Sequence, residues 1–121
     1  MSVPAQEETG GFTLIVTVSI QPDKYDEWLR HSWTAFKHVT AEPDCLSFEM
    51  FTVPGEANKV KWVESWSKSL ESVMADQGNK EYMKSYKEIT NPMLIGEPQW
   101  ELMKRFGGEW ARAQEGVFQK P

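Results

Sequence analysis

Residues 59–67 read KVKWVESWS and continue from the predicted hairpin turn PGEANK (54–59), so this stretch is predicted to be a β-strand. Successive side chains of a strand point to opposite faces, so the pattern predicts that Val60, Trp62, Glu64 and Trp66 share one face. A carboxylate between two indoles on a poorly solvated face would have a raised pKa and could act as an acid or base near neutral pH. The alternative is that both tryptophans fill the core and that Glu64 is an edge charge or pairs with a lysine.

Upstream of this stretch, the sequence predicts a strand followed by a helix. FTLIVTVSI (12–20) alternates and is rich in β-branched residues, which is typical of a strand. Pro22 and Asp23 then open a helix that continues to about Thr40, with Asp23 as its cap. The apolar residues of this helix recur at helical spacing and predict a buried stripe centred on Tyr25, Leu29 and Phe36.

A second strand is predicted just before the quoted stretch. CLSFEMFTV (45–53) follows a break at Pro43 and alternates again. One predicted face carries Leu46, Phe48 and Met50, and the other carries Cys45, Ser47, Glu49 and Phe51. PGEANK (54–59) joins this strand to the next one as the turn of a hairpin.

The last part of the chain predicts a broken helix, a strand and an extension. Residues 68–90 have helical character that is interrupted at QGN (77–79). PQWELMKRF (98–106) predicts a fourth strand. GGEWARAQEGVFQKP (107–121) is an additional segment, for which we predict a short amphipathic helix around Trp110.

The predicted order of elements is β-α-β-β-α-β, which defines the α+β ferredoxin-like unit of one antiparallel sheet with helices on a single face. We assign residues 1–11 to a flexible N-terminal tail, 12–106 to the domain and 107–121 to a C-terminal extension. Nothing in this unit covers the second face of the sheet. Two copies packed sheet to sheet would bury that face, so we predict a homodimer.

Composition excludes several classes of function. The chain of 121 residues has a formal net charge of −5 without a basic cluster, so no nucleic-acid partner is expected. It has no apolar run of the roughly 20 residues that a membrane span needs. Cys45 is the only cysteine, which excludes an internal disulfide and favours a reducing, cytoplasmic environment. No metal-ligand pair, phosphate-binding loop or nucleotide motif is present, so we predict neither a metal nor a cofactor.

Two segments resemble a known family. EPDCLSFEMF (42–51) and VKWVESWSKSLESVMADQGNKEYMKSY (60–86) are similar to antibiotic biosynthesis monooxygenases (ABM), a family of the dimeric α/β-barrel superfamily. Members carry a Glu-Pro-Gly-Cys-like turn before strand two and Glu-x-Trp at the end of strand three. The resemblance, over roughly residues 12–106, implies a dimer whose sheets form a barrel, with a small-molecule pocket between sheet and helices in each subunit. It also implies cofactor-free oxidation of aromatic polyketide-like substrates, or haem cleavage.

The chain departs from the family pattern at two positions. Trp66 matches the tryptophan at the end of strand three, but Trp62 stands where some members have asparagine. The helical stretch that follows contains no histidine, whereas family oxygenases often have one there. The chain's two histidines, His31 and His38, are predicted to lie on a solvated flank of the first helix. Haem cleavage, which needs an axial ligand, is therefore not expected.

Four polar residues of the broken helix are further candidates. Asp76 and Gln77 lie where related proteins tend to have the missing histidine, so they are candidate catalytic residues, although a helix-end cap would also explain them. Tyr82 and Tyr86 are four residues apart and share a helix face, from which their hydroxyls could reach a substrate. Both tyrosines are also explained as core residues with solvated hydroxyls.

Trp33 and Phe48 complete the predicted site. Trp33 lies at the edge of the first helix's apolar stripe and is placed at the pocket mouth, while Phe48 and Trp62 are predicted to contact the substrate. Cys45 has no neighbouring basic residue or helix start that would lower its pKa, so we predict an inert buried thiol.

Together these features predict a small cofactor-independent enzyme that acts on an aromatic or polyketide-like secondary metabolite, as an ABM-like monooxygenase. Two alternatives remain open. One is a non-oxidative isomerase, cyclase, dehydratase or decarboxylase on the same barrel. The other is a non-catalytic barrel that binds an aromatic ligand.

Overall fold

The computed structural model describes residues 11–121 and confirms the predicted α+β architecture. Residues 1–10, most of the predicted tail, lie outside the described residues. The elements are the strands β1 (Phe12–Ser19), β2 (Cys45–Val53), β3 (Glu56–Trp66) and β4 (Gln99–Lys104), and the helices α1 (Tyr25–Thr40), α2 (Leu70–Gly78) and α3 (Glu81–Thr90). The strands form one antiparallel sheet in the order β2-β3-β1-β4.

The register of the sheet places the residues of the quoted stretch on the face that the helices cover. Val16 of β1 pairs with Trp62 of β3, and Leu14 pairs with Glu64. The same face of β1 supplies Phe12, Leu14, Val16 and Val18 to the buried core, and the buried Ile20 follows directly after the strand. Because paired residues of antiparallel strands point to the same face, Trp62, Glu64 and Trp66 also face the helices.

Helix α1 buries a different stripe from the predicted one. Its buried residues are Trp28, Ser32, Ala35 and Val39, whereas Leu29 is 39% exposed. The prediction was wrong because it weighted only large apolar residues, while the small residues Ser32 and Ala35 let the helix approach its neighbours closely. The capping prediction was also wrong: Asp23 lies within a 3-10 turn that precedes α1.

Strand β2 contains a bulge that reverses the predicted faces at its start. Cys45 pairs with Trp66, but Ser47 already pairs with Ser65, so Leu46 is an extra residue. Leu46 is consequently 50% exposed, and Cys45 packs against the core on the helix side of the sheet. Burial and the nearby Glu64 charge raise the pKa of the Cys45 thiol to about 11, which agrees with an inert thiol.

The C-terminal extension does not form the predicted amphipathic helix. It has a single 3-10 turn at Gly108–Trp110, and Gly107 and Gly108 both adopt positive φ angles that interrupt a regular helix. Its large apolar side chains Trp110, Val117 and Phe118 are exposed, as is Phe106 just before it. Among residues 11–121, no helix has the length and apolar character that crossing a membrane requires.

The sheet face opposite the helices has a mixed character. It carries a buried hydrogen bond of 2.7 Å between the Thr13 and Ser65 hydroxyls. Around this pair lie the partly buried Ile15 and Val63 and the more exposed Phe51, together with charged side chains. This face is therefore less apolar than the homodimer prediction assumed.

Candidate active site

Glu64 is held between the two tryptophans of its own strand. The indole Nε1 of Trp62 donates a hydrogen bond of 2.7 Å to Glu64 Oε2, and the indole Nε1 of Trp66 donates one of 2.9 Å to Oε1. Residues two apart on a strand share a face, so this pair of contacts follows directly from the local backbone. The predicted shared face is confirmed, and both indoles act as hydrogen-bond donors to one carboxylate.

The surroundings of Glu64 act on its pKa in opposite directions. Burial raises the pKa, because a charged carboxylate loses solvation, and the hydrogen bonds from Trp66 and Trp62 lower it; the net shift is upward from 4.5. An ionised carboxylate has about four acceptor positions, and the indoles occupy one on each oxygen. The carboxylate can therefore still accept a proton or a hydrogen bond from a ligand.

A cavity of about 200 Å³ lies between the sheet and the helices, and Glu64 is part of its wall. Most of the remaining wall is apolar or aromatic. The Trp62 ring stacks on Trp28 at 6.3 Å and an interplanar angle of 29°, and on Phe48 at 6.2 Å and 18°. These near-parallel rings make flat surfaces, which suit a flat apolar ligand.

The cavity opens beside the end of α3 and the start of β4. Four of its lining residues are exposed there: Lys87, Asn91, Pro98 and Trp100. An apolar cavity of about 150 Å³ can hold a benzene ring. A fused-ring ligand could thus occupy this larger cavity with one edge at the opening.

The structure separates the predicted site residues into two groups. Six of them line the cavity with each other: Glu64, Trp66, Trp62, Gln77, Tyr86 and Phe48. The remaining three, Asp76, Trp33 and Tyr82, do not line it. Trp33 is 58% exposed and stacks on Phe36, and Asp76 is exposed with Lys80 as its ion-pair partner at 3.9 Å.

Tyr82 belongs to a polar cluster outside the cavity. Its hydroxyl lies 2.8 Å from Glu42 Oε2 and 2.9 Å from Gln77 Oε1, and Lys80 Nζ lies 3.5 Å from the same Glu42 oxygen. His38 is exposed, as predicted, and its ring also stacks on the Tyr82 ring of α3 at 4.9 Å. The amide of Gln77 is engaged in this cluster, which leaves it poorly placed for proton transfer in the cavity.

The cluster predicts how stability depends on pH. The hydrogen bond from Tyr82, and then Lys80, lower the pKa of Glu42 below 4.5. A lowered carboxyl pKa contributes stability that is present above pH 4.5 and is lost as the pH falls through the lower folded-state value. We therefore expect Glu42→Gln to lower the urea midpoint at pH 7 and to show a smaller further decrease between pH 5 and 3 than the parent. The exposed Glu88→Gln is the control, and equal pH dependence in all three proteins would contradict the assignment.

Sequence reasoning missed two buried polar residues of the cavity, Ser32 and Thr90. Both are buried, and both line the cavity. The Ser32 hydroxyl lies 2.8 Å from the Tyr86 hydroxyl. A serine within an otherwise apolar helix stripe was the available signal, but the stripe could not be located without the tertiary packing.

Within residues 11–121, no group of three or more His, Cys, Asp or Glu side chains is arranged to hold a metal ion. The polar groups of the lining side chains are the Glu64 carboxylate, the indole N–H groups of four tryptophans, two amides, three hydroxyls and the amino group of Lys87. The fold and the site together define a ferredoxin-like domain with an apolar cavity and one carboxylate fixed in its wall.

Comparison with known proteins places this domain in a family. A protein of Pestalotiopsis microspora named "Putative monooxygenase GME11364" is 31% identical over 109 residues, which cover 89% of this chain and 91% of that protein. Two solved structures described as antibiotic biosynthesis monooxygenases share the fold. The one from Caulobacter crescentus CB15 has a TM-score of 0.74 at 21% identity and covers 85% of this chain and 96% of its own. The one from Nitrosomonas europaea has a TM-score of 0.72 at 11% identity and covers 81% of this chain and 92% of its own.

No protein-family model matches the sequence. The alignment with the Pestalotiopsis protein nevertheless extends over nearly the whole of both chains. The chain belongs to the same family as this protein named as a putative monooxygenase, and it shares the fold of the structures described as antibiotic biosynthesis monooxygenases.

Proposed function

We propose that the protein is a monooxygenase that oxidises a flat aromatic or polyketide-like compound, with Glu64 as its general base. The observation that carries this proposal is the Glu64 carboxylate, held by two indole N–H groups in the wall of an apolar cavity. A base with a raised pKa in such a place can remove a weakly acidic proton. The relationship to a protein named as a monooxygenase supports the oxidative reaction.

The proposed reaction needs only the substrate, O2 and the base. Glu64 removes a proton from an acidic C–H or O–H group and leaves an electron-rich anion. The anion transfers one electron to O2 and combines with the resulting superoxide, which forms a new C–O bond. The hydroperoxide then loses water, so a CH2 group and O2 become a carbonyl group and H2O. The substrate supplies the electrons, and the proton on Glu64 leaves in the water.

Oxygen uptake with anthrone tests this proposal, because the CH2 group of this aryl ketone is acidic and its oxidation to anthraquinone follows the same balance. The assay is performed with EDTA, and the background rate without protein is subtracted. Consumption of one O2 for each anthraquinone formed supports the cofactor-free monooxygenase. Conversion of related phenolic ketones without O2 uptake would replace it by a non-oxidative proton-transfer reaction, which Glu64 could equally catalyse. Binding without any conversion would leave a ligand-binding barrel.

We also propose that two copies form a homodimer. The support comes from β4, an edge strand whose six residues are all exposed, and from the extension that follows it. Their exposed large apolar side chains are Trp100, Leu102, Met103, Phe106, Trp110, Val117 and Phe118. A stable interface usually buries about 800 Å² per partner, and surfaces of this kind are rarely left in water.

Light scattering at micromolar concentration is expected to give about 28 kDa, which is twice the 14.0 kDa of one chain. Association would bury the apolar side chains of β4, including Trp100 at the cavity opening. A particle of about 14 kDa over the whole concentration range would contradict the homodimer.

A further inference from the structure

We propose that the hydroxyls of Ser32 and Tyr86 form a second polar subsite, which donates a hydrogen bond to a carbonyl or enolate oxygen of the ligand. The part of this inference that concerns catalysis rests on the proposed function. The part that concerns ligand binding depends only on the geometry of the cavity. The ligand class that it selects is a fused-ring compound with a carbonyl group conjugated to the position at which a proton is removed.

Ser32 is unusual on its helix face. It is 6% exposed, and the other buried residues of α1 are Trp28, Ala35 and Val39, of which only Trp28 has a polar side-chain group, its indole N–H. An apolar stripe gains nothing from a buried hydroxyl unless that hydroxyl has a partner. The partner is Tyr86 of α3, at 2.8 Å, and both residues line the cavity.

A count of hydrogens shows what this pair can offer. Ser32, Tyr86 and Thr90 together carry three hydroxyl hydrogens, and all three side chains line the cavity. Thr90 Oγ1 donates its hydrogen to the backbone carbonyl of Tyr86 at 2.7 Å. The contact between Ser32 and Tyr86 uses a second hydrogen, since only one of the two hydroxyls donates in it. The third can be donated to a ligand oxygen in the cavity.

The pair comes from the helices that line the cavity, whereas the Glu64 carboxylate comes from the sheet. Ser32 is one helical turn from Trp28, and Trp28 stacks on Trp62, whose indole N–H binds Glu64. A ligand between sheet and helices would thus face Glu64 from the sheet and the hydroxyls from the helices. When Glu64 removes a proton next to a conjugated carbonyl, negative charge develops on the carbonyl oxygen. A fixed donor at that oxygen stabilises the transition state.

The test compares anthrone with 9,10-dihydroanthracene, which has the same three-ring carbon skeleton but no carbonyl oxygen. Binding is followed under nitrogen, so that no oxidation occurs, by quenching of the fluorescence of the cavity tryptophans. The parent is expected to bind anthrone more tightly than 9,10-dihydroanthracene. Whichever of Tyr86→Phe and Ser32→Ala removes the hydroxyl that donates to the ligand is expected to weaken anthrone binding about 3- to 10-fold and to leave 9,10-dihydroanthracene binding unchanged, as loss of one hydrogen bond requires.

Tyr82→Phe is the matched control, because it removes the same atom from the same helix outside the cavity, and it should leave both affinities unchanged. Failure of the subsite can be distinguished from failure of the proposed function. Lost discrimination in either Tyr86→Phe or Ser32→Ala supports the subsite even if the parent never consumes O2. Equal anthrone affinity in Tyr86→Phe, Ser32→Ala and the parent would overturn it even if the parent is an active oxygenase. A parent that does not prefer anthrone, or binds neither compound, would also overturn it.

Discussion

Glu64→Gln is expected to lower kcat/KM for anthrone oxidation by about 10²- to 10⁴-fold, which is the usual contribution of a general base. An amide has almost the shape of the carboxylate but cannot accept a proton at neutral pH. The KM should change much less than kcat, since the apolar walls that hold the ligand remain. Oxygen uptake at several substrate concentrations measures both constants.

The same variant is expected to lose some stability, and the kinetic comparison must allow for this. Glu64 accepts one indole hydrogen bond on each oxygen, whereas glutamine presents an NH2 group to one of the two indoles. A buried donor without an acceptor costs about 1–3 kcal/mol. Rates are therefore compared at equal fraction folded, with the exposed Glu88→Gln as control. A Glu64→Gln protein that folds and retains most of its rate would remove Glu64 from the mechanism.

Trp66→Ala is expected to lower the free energy of unfolding by about 3–5 kcal/mol, as measured by urea denaturation. Trp66 is 2% exposed, belongs to the buried core and also lines the cavity. The sequence analysis treated a core residue and a cavity wall as alternatives, but Trp66 is both. A decrease below about 1 kcal/mol would contradict its place in the core.

Trp66→Phe examines the hydrogen bond with a smaller loss of volume. The pKa of Glu64 is raised by burial and lowered by the two indoles, so loss of one indole should raise it further. The base must be ionised to act, and the acidic limb of the kcat/KM profile should consequently move to higher pH. An unchanged profile would show that Trp66 does not influence the reacting carboxylate.

The geometry of the carboxylate could be predicted from the sequence because it depends on one strand. Side chains two residues apart on a strand share a face whatever the rest of the fold does, so Trp62, Glu64 and Trp66 were placed together correctly. The order of elements was predictable for a similar reason, since the spacing of apolar residues that distinguishes a strand from a helix is a local property of the sequence. The break in the helical region at QGN is likewise seen between α2 and α3.

The features that could not be predicted depend on contacts between distant residues. The bulge at Leu46 is a property of the pairing between two strands and leaves no mark in the alternation of β2. Ser32 and Tyr86 are 54 residues apart, and Glu42 and Tyr82 are 40 apart, so neither contact follows from local spacing. The second of these contacts holds the Tyr82 hydroxyl outside the cavity.

The two indoles that hold Glu64 make its ionisation observable by spectroscopy without any substrate. When the carboxylate takes up a proton, one oxygen becomes a hydroxyl and ceases to be a good acceptor, so one indole keeps its partner and the other loses it. The indole N–H resonances of Trp62 and Trp66 in a proton NMR spectrum would then shift by unequal amounts across the same titration. The protein thus contains its own pair of reporters for the charge of Glu64 in the resting state.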